Sequence, residues 1–404
     1  MREIVLINIT GEDRPGLTAA ITGVLATNGV TILDIGQAVI HGVLSLGFLV
    51  EMSQADQVSA VLKDLQPLIA QEGLQLRFDP ITEEHYTAWV SDQSQKRHVV
   101  TLMSRQVTAQ ELLGVTSTIS QHGLNIEQTD RLSGRVPLDA PTHLSKSCIE
   151  LRITGEAADI EALRADLFDL SQALKVDIAL QEETLFRRHR RLAVFDMDST
   201  LIEAEVIDEL AKAAGVGDQV SEITERAMAG ELDFKASFKE RLALLKGLDV
   251  SVLDAIGASL RLTEGAEVLF AELKRLGYKT AILSGGFTYF AKQLQAKLGI
   301  DYVFANELEV VDGKVTGVAV EPIVDAQRKA DLLRELALKE GLTLDQTIAV
   351  GDGANDLKML EIAGLGVAFR AKPLVKKSAK YAISTLGLDG VLYLLGQRDR
   401  NGQA

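Results

Sequence analysis

The 404-residue chain contains a single cysteine, Cys148. No disulfide framework can form within it, and a reducing compartment suits it. Cys148 reads as a small buried hydrophobe on a strand. Positive charge is also in short supply: 42 Lys and Arg stand against 57 Asp and Glu, a net charge of -15. That balance argues against nucleic acid as the main partner. It leaves anionic substrates open, because a bound metal ion can reverse the local field. Long apolar runs are missing too. No uncharged stretch approaches the roughly 20 residues that span a bilayer. The opening MREIVLINIT reads as a strand rather than a signal peptide. The expectation is a cytoplasmic protein without a membrane partner. What is present, 47% hydrophobic and 25% charged residues, is the composition of a globular fold. Its length implies two or three domains.

The first part reads as an internal repeat. Glu3 to Thr10 is strand-like, and Gly16 to Thr27 is helix-like, stopped at Asn28-Gly29. Two strands follow, Val30 to Ala38 and Val43 to Met52, then a helix, Ala55 to Ala70, and a strand, Leu74 to Phe78. The order βαββαβ recurs from His98 to Leu180. Residues 21–33, ITGVLATNGVTIL, and 115–127, VTSTISQHGLNIE, overlay without a gap. The polar stretch Thr82 to Lys96 reads as a linker. The basic run EETLFRRHRR reads as a solvated linker helix rather than a phosphate or nucleic-acid patch. Domain bounds of 1–81 and 97–181 are expected.

From Arg191 strands alternate with helices, which implies βαβ units and a parallel sheet. A third domain over 190–397 is expected, with strands at Leu192 to Phe195, Thr280 to Leu283, Tyr302 to Phe304, Thr347 to Val350 and Gly366 to Ala368. Residues 204–262 are helical in pattern and too long for one crossover, so they read as a cap. Asp312-Gly313 between alternating runs signals a hairpin.

In RLAVFDMDSTLIEAE an apolar strand runs straight into Asp196 and Asp198. Two carboxylates this close raise each other's pKa unless a cation lies between them. A hard cation such as Mg²⁺ answers that need. The carboxyl end of a parallel strand is also where open α/β sheets bind ligands. Three further polar segments sit at such junctions. Ser284-Gly285-Gly286 could hold a phosphate. Lys329, placed before a helix, supplies a point charge. GDGAND brings Asp352, Asn355 and Asp356 between turn-forming glycines.

The set DMDST, the serine of ILSGG, Lys329 and GDGAND resembles the four motifs of the haloacid dehalogenase superfamily, over about Arg191 to Leu395. The resemblance implies a doubly wound parallel-sheet core with a small helical cap. It implies Asp196 as nucleophile and Asp198 as general acid and base. It implies Mg²⁺ on the Asp196 carboxylate, the Asp198 carbonyl and Asp352, and phosphoryl contacts from Ser284, Gly285 and Lys329. Asn355 and Asp356 would orient substrate and metal-bound water.

A second layer, IEAE, AMAGELDF and FKERLALLKG, resembles the phosphoserine phosphatase family. That resemblance implies O-phospho-L-serine as substrate. Glu205 would hold the ammonium and Arg241 the carboxylate, with Met228 and Phe234 closing the pocket. A phosphotransferase passing the phosphoryl group to another hydroxyl, such as homoserine, shares the same nucleophile and remains the alternative.

The two βαββαβ units resemble ferredoxin-like ACT domains. These imply a homodimer or higher homo-oligomer and an amino-acid effector such as L-serine. The first copy carries a matching turn, Asp13, Arg14, Pro15 and Gly16, with Asn28, Gly29 and Asp34 nearby in the pattern. The second copy's SRQVTAQELLG lacks that turn's residues and implies a structural or pairing role.

Overall fold

A computed structural model describes residues 2–53, 56–92, 96–139, 141, 145–156, 158–228 and 231–399. The chain forms two compact units, residues 1–95 and 96–404.

In the first unit, β1 (Glu3–Glu12), α1 (Leu17–Thr27), β2 (Thr31–Ile40), β3 (Val43–Met52), α2 (Gln57–Glu72) and β4 (Gln75–Ile81) make one antiparallel sheet, ordered β2-β3-β1-β4, covered by two helices. Alternation along β3 places Leu44, Leu46, Phe48, Val50 and Met52 in the core. Ile21 and Leu25 of α1, with Val61, Leu65 and Ile69 of α2, fill the other side at helical spacing. The stretch expected to be a linker contains a helix, α3 (Glu83–Asp92). It buries no apolar stripe, and Trp89 and Val90 are exposed, so the amphipathic signal that reveals helices is absent. Glu83 and Glu84 in its first turn favour it through the helix dipole.

The second unit begins with the same plan: β5 (His98–Ser104), α4 (Ala109–Gln121), β6 (Asn125–Arg131), β7 (Ser147–Thr154), α5 (Ile160–Leu174) and β8 (Asp177–Glu182), in an antiparallel sheet ordered β6-β7-β5-β8. Thr108 and Glu111 form a capping box on α4. Cys148 is buried on β7.

This sheet is packed into the domain that follows. Met103, Leu132, Cys148 and Ala179 share one hydrophobic core with it. The Asp177 carboxylate accepts from the amides of Ser384, at 2.9 Å, and Thr385, at 2.8 Å. The basic run is only partly solvated: Arg188 and His189 are exposed. Leu185–Arg188 form a single 3₁₀ turn, and Arg187 and Arg190 are buried. Arg187 donates to Glu150 at 2.6 Å, also buried, and Arg190 to the carbonyl of Gly364 at 3.1 Å. Charge alone marks such a run as surface. Burial becomes possible only because β7 supplies a carboxylate for Arg187 and a core loop supplies a carbonyl for Arg190.

The remaining elements are β9 (Leu192–Phe195), α6 (Val206–Ala213), α7 (Gly217–Met228), α8 (Phe234–Ala243), α9 (Ser251–Ser259), α10 (Ala266–Arg275), β10 (Lys279–Phe287), α11 (Thr288–Leu298), β11 (Tyr302–Asn306), β12 (Leu308–Val311), β13 (Lys314–Ala319), α12 (Ala326–Lys339), β14 (Thr347–Gly351), α13 (Leu357–Ile362), β15 (Leu365–Phe369), α14 (Pro373–Ser378), β16 (Tyr381–Ile383) and α15 (Val391–Leu394). Six strands form a parallel sheet ordered β11-β10-β9-β14-β15-β16. The chain leaves β9 toward β10 on one side and returns to β14 on the other. That reversal is the switch point where ligands bind such sheets. Three-residue β16 was too short to read from the sequence. The β12–β13 hairpin turns at Asp312-Gly313 as expected. Helices α6 to α9 form the cap, and Ile202 and Leu262 pair at its base.

Candidate active site

The site is assembled at the carboxyl ends of β9, β10 and β14. All four residues of β9 are buried, so its apolar register carries Asp196 to the rim. There the Asp196 amide donates to the carbonyl of Val350 at 2.9 Å. Its Oδ1 accepts from the Met197 amide at 2.7 Å. The chain then reverses tightly at Ser199, whose φ is 52°.

Lys329 lies in the first turn of α12 rather than before the helix, and is fully buried. Its ammonium reaches Asp196 at 2.9 Å and Asp356 at 2.7 Å. Burial opposes that charge, but the two carboxylates outweigh it and raise the Lys329 pKa. Asp352, at the end of β14, accepts from the Thr200 hydroxyl at 3.0 Å.

Asp196, Asp352 and Asp356 each offer an oxygen within 4.8 Å of the others. Burial, then the Asp196 charge, push Asp352 and Asp356 up to about 7. Three carboxylates facing one ammonium leave the cluster short of positive charge. A hard, oxygen-binding divalent cation fits this donor set. Asp356, which the sequence suggested as an orienting group, thus completes the acidic cluster. The Asp198 side chain stays outside it: Oδ1 accepts from the Val206 amide at 2.9 Å, and Oδ2 lies 3.5 Å from the Ser284 hydroxyl. Burial, with Glu205 and Asp196 nearby, holds the Asp198 pKa well above the usual carboxylate range.

The strand β10 contributes Ser284, buried, whose hydroxyl accepts from the Gly286 amide at 2.8 Å. The two glycines beside it are required by space. A Cβ on Gly285 would come 2.9 Å from the Phe234 ring, and one on Gly286 would come 2.3 Å from Asp198. Gly286→Ala should therefore displace Asp198. A misplacement of about 1 Å costs about 10²-fold in rate, so kcat/KM is expected to fall at least that far, with the thermal midpoint nearly unchanged.

A cavity of about 880 Å³ opens between these strand ends and the cap. Asp196, Asp198, Glu205, Phe234, Arg241, Gly285, Asp352 and Asn355 all line it. Ser284 and Lys329 lie buried among these residues. Met228 closes α7, but its side chain falls outside the described residues. The Glu205 carboxylate accepts from the Ser199 hydroxyl at 2.7 Å, and burial raises its pKa. Burial lowers that of Arg241, against the nearby charges of Asp208 and Glu205.

Several lining residues were not singled out in the sequence. Asp208 follows Glu205 by one helical turn, a spacing that could have found it. Lys372 lies just after β15, a strand end without the acidic or glycine-rich turn that marks the others. Ser237 is buried, and its hydroxyl has no partner among the described residues. Nothing in a sequence marks that.

The ACT-like turn lies in the first unit. The Asp13 amide donates to the Gly42 carbonyl at 2.7 Å, Arg14 pairs with Glu12 at 2.8 Å, and Gly16 takes φ 95° at the start of α1. Asn28 sits at the other end of α1, about 16 Å away at 1.5 Å per residue, and its amide donates to Val24 and Asp64. Within one chain these residues do not converge.

Among the described residues no helix is long and apolar enough to cross a membrane. The profile of the haloacid dehalogenase-like hydrolases matches residues 193–361, and ACT-domain profiles match 3–79 and 96–181. A phosphoserine phosphatase of Streptomyces coelicolor is 42% identical over 97% of this chain and 92% of its own length. One from Mycobacterium tuberculosis is 40% identical over 97% and 93%. A solved haloacid dehalogenase-family hydrolase of Salmonella enterica serovar Typhi superposes with a TM-score of 0.63 at 31% identity, covering 74% of this chain and 98% of that one. The chain therefore belongs to the phosphoserine phosphatase family of haloacid dehalogenase-like hydrolases, with two ACT domains ahead of the hydrolase domain.

Proposed function

We propose that this chain hydrolyses O-phospho-L-serine to L-serine and phosphate, the closing step of L-serine biosynthesis. One observation carries the reading: Glu205 and Arg241 line the same cavity as Asp196. A small molecule with a phosphate, an ammonium and a carboxylate has one counterpart for each.

In this reading an Asp196 oxygen attacks phosphorus and the ester bond breaks, leaving an aspartyl phosphate. Asp198 gives its proton to the departing serine oxygen. It then takes a proton from the water that attacks the aspartyl phosphate, which restores Asp196 and frees phosphate. Lys329, the Ser284 hydroxyl and the Gly285 amide neutralise the phosphoryl oxygens. Asp196, Asp352, Asp356 and the Asp198 carbonyl would hold Mg²⁺, which supplies charge neutralisation between two anions. Glu205 takes the ammonium, Arg241 the carboxylate, and Phe234 and Asn355 close and orient the pocket. The domains serving these roles are 1–81, 97–181 and 190–397, with the cap over 204–262.

The test compares phosphate release from O-phospho-L-serine, phosphoethanolamine and 3-phospholactate, with Mg²⁺ and with chelator. The first should lead the other two by about 10²-fold or more, since each analogue strands a charged partner in the pocket. Chelator should silence all three. A flat profile overturns the assignment of substrate.

L-serine is also proposed as an effector at Asp13 to Gly16, where amides at a helix start suit a carboxylate. Because Asn28 lies at the far end of α1, a ligand touching both would bridge two copies of the chain. Calorimetry on the full chain should show heat with millimolar L-serine. No heat in the wild type, or unchanged heat in Asp13→Ala, removes this site.

A further inference from the structure

The second ACT domain has no evident ligand turn, yet the turn in that position, between β5 and α4, is engaged. Arg105 in this turn forms a forked pair with Glu264, both bonds at 2.7 Å. Glu264 is not an arbitrary surface acid. It belongs to the segment by which the chain leaves the cap and enters α10. That segment pairs with the one by which the chain enters the cap: Ile202 bridges Leu262, the Glu203 amide donates to the Arg261 carbonyl at 3.0 Å, and the Thr263 amide donates to Leu201 at 2.9 Å. These two segments are the covalent connections between cap and core.

Two further contacts converge on the same place. Arg370, following β15, takes an uncommon φ of 45° and holds Glu264 at 2.8 Å, with Glu203 of the entering segment at 4.0 Å. Lys146 of the second ACT domain pairs with Asp389 at 2.5 Å. The Asp389 side chain lies so close to Gly265 that a Cβ there would meet it at 2.3 Å. Two cations of the ACT domain thus press on consecutive residues of the exit segment, one directly and one through Asp389. The ACT sheet is itself fixed to the core by Asp177, which holds the amides of Ser384 and Thr385, so it offers a rigid anchor.

We propose that Arg105 is a positioning residue for the active site: through Glu264 it sets the angle of the cap, and with it the placement of Glu205 and Arg241 over Asp196. The idea rests on the phosphatase reading for its kinetic arm only. A ligand or partner that drew the second ACT domain's first turn away from Glu264 would loosen the cap without touching the pocket.

The test uses the full chain as wild type, Arg105→Ala, Arg105→Lys and Glu264→Gln. Amide hydrogen exchange is read in 200–206 and 260–266, the attachment segments, and in 177–182, the docking strand. Arg105→Ala and Glu264→Gln should speed exchange in the first two segments and leave the third unchanged, and Arg105→Lys should fall between them and wild type. KM for O-phospho-L-serine should rise roughly five-fold in Arg105→Ala, the size expected of one half-exposed ion pair. A phosphoester lacking both amine and carboxylate should show no such rise. Exchange that quickens in 177–182 together with the attachment segments makes Arg105 a mere tether and overturns the proposal. So does unchanged exchange at 200–206 and 260–266. Exchange is read without substrate, so failure of the phosphatase reading would show instead as wild type that exchanges normally but releases no phosphate.

Discussion

Asp196→Asn should reduce phosphate release from O-phospho-L-serine by on the order of 10⁴-fold or more, because loss of a nucleophile removes the covalent route altogether. Stability should move the other way or not at all. Asp196 shares a small buried volume with Asp352 and Asp356, and removing one of three like charges relieves repulsion. Lys329 keeps Asp356 as a partner at 2.7 Å, so its ammonium is not left uncompensated. The pairing of lost turnover with an equal or higher thermal midpoint separates a chemical role from a structural one. Activity within ten-fold of wild type would remove Asp196 from the chemistry.

Asp198→Asn has the second-largest expected effect, about 10²- to 10⁴-fold on phosphoserine turnover, the range for a positioned general acid and base. Its signature is dependence on the leaving group. A serine alkoxide needs a proton as it departs, whereas nitrophenolate does not. With p-nitrophenyl phosphate the first turnover should stay fast, and the second step, which needs a base, should stall. Rapid mixing should then show a burst of nitrophenolate equal to the enzyme present. Equal slowing of both esters with no burst would contradict the role. The fold should survive, since an Asn oxygen can still accept from the Val206 amide that now bonds Asp198 at 2.9 Å.

Much of this site was legible because chemistry and periodicity coincide. A short, fully apolar run such as Leu192 to Phe195 reads as an interior strand, and acidic residues directly after it then lie at its end. The glycine pair after Ser284 and the GDGAND turn announced close backbone approaches in the same way. What stayed hidden depended on partners distant in sequence. Arg187 and Arg190 read as solvent-exposed because nothing in EETLFRRHRR reveals Glu150 or the Gly364 carbonyl. Helix α3 lacks a buried face and so lacks a pattern. Asp356 looked like a substrate-orienting residue until Lys329, 27 positions earlier, was seen to hold it against Asp196. Asn28 seemed close to Asp13 in the repeat, yet the whole length of α1 lies between them.

In the proposed mechanism Asp196 takes the phosphoryl group from phosphoserine. Its most direct test is to mix the full chain with Mg²⁺ and isotopically labelled O-phospho-L-serine, quench in acid within the first turnover, and locate the label by peptide mass spectrometry. A phosphoryl group is expected on the peptide containing Asp196, lost on longer incubation as phosphate appears, and absent from Asp196→Asn. Serine released in full with no label on the protein, or with the label on another residue, would contradict it.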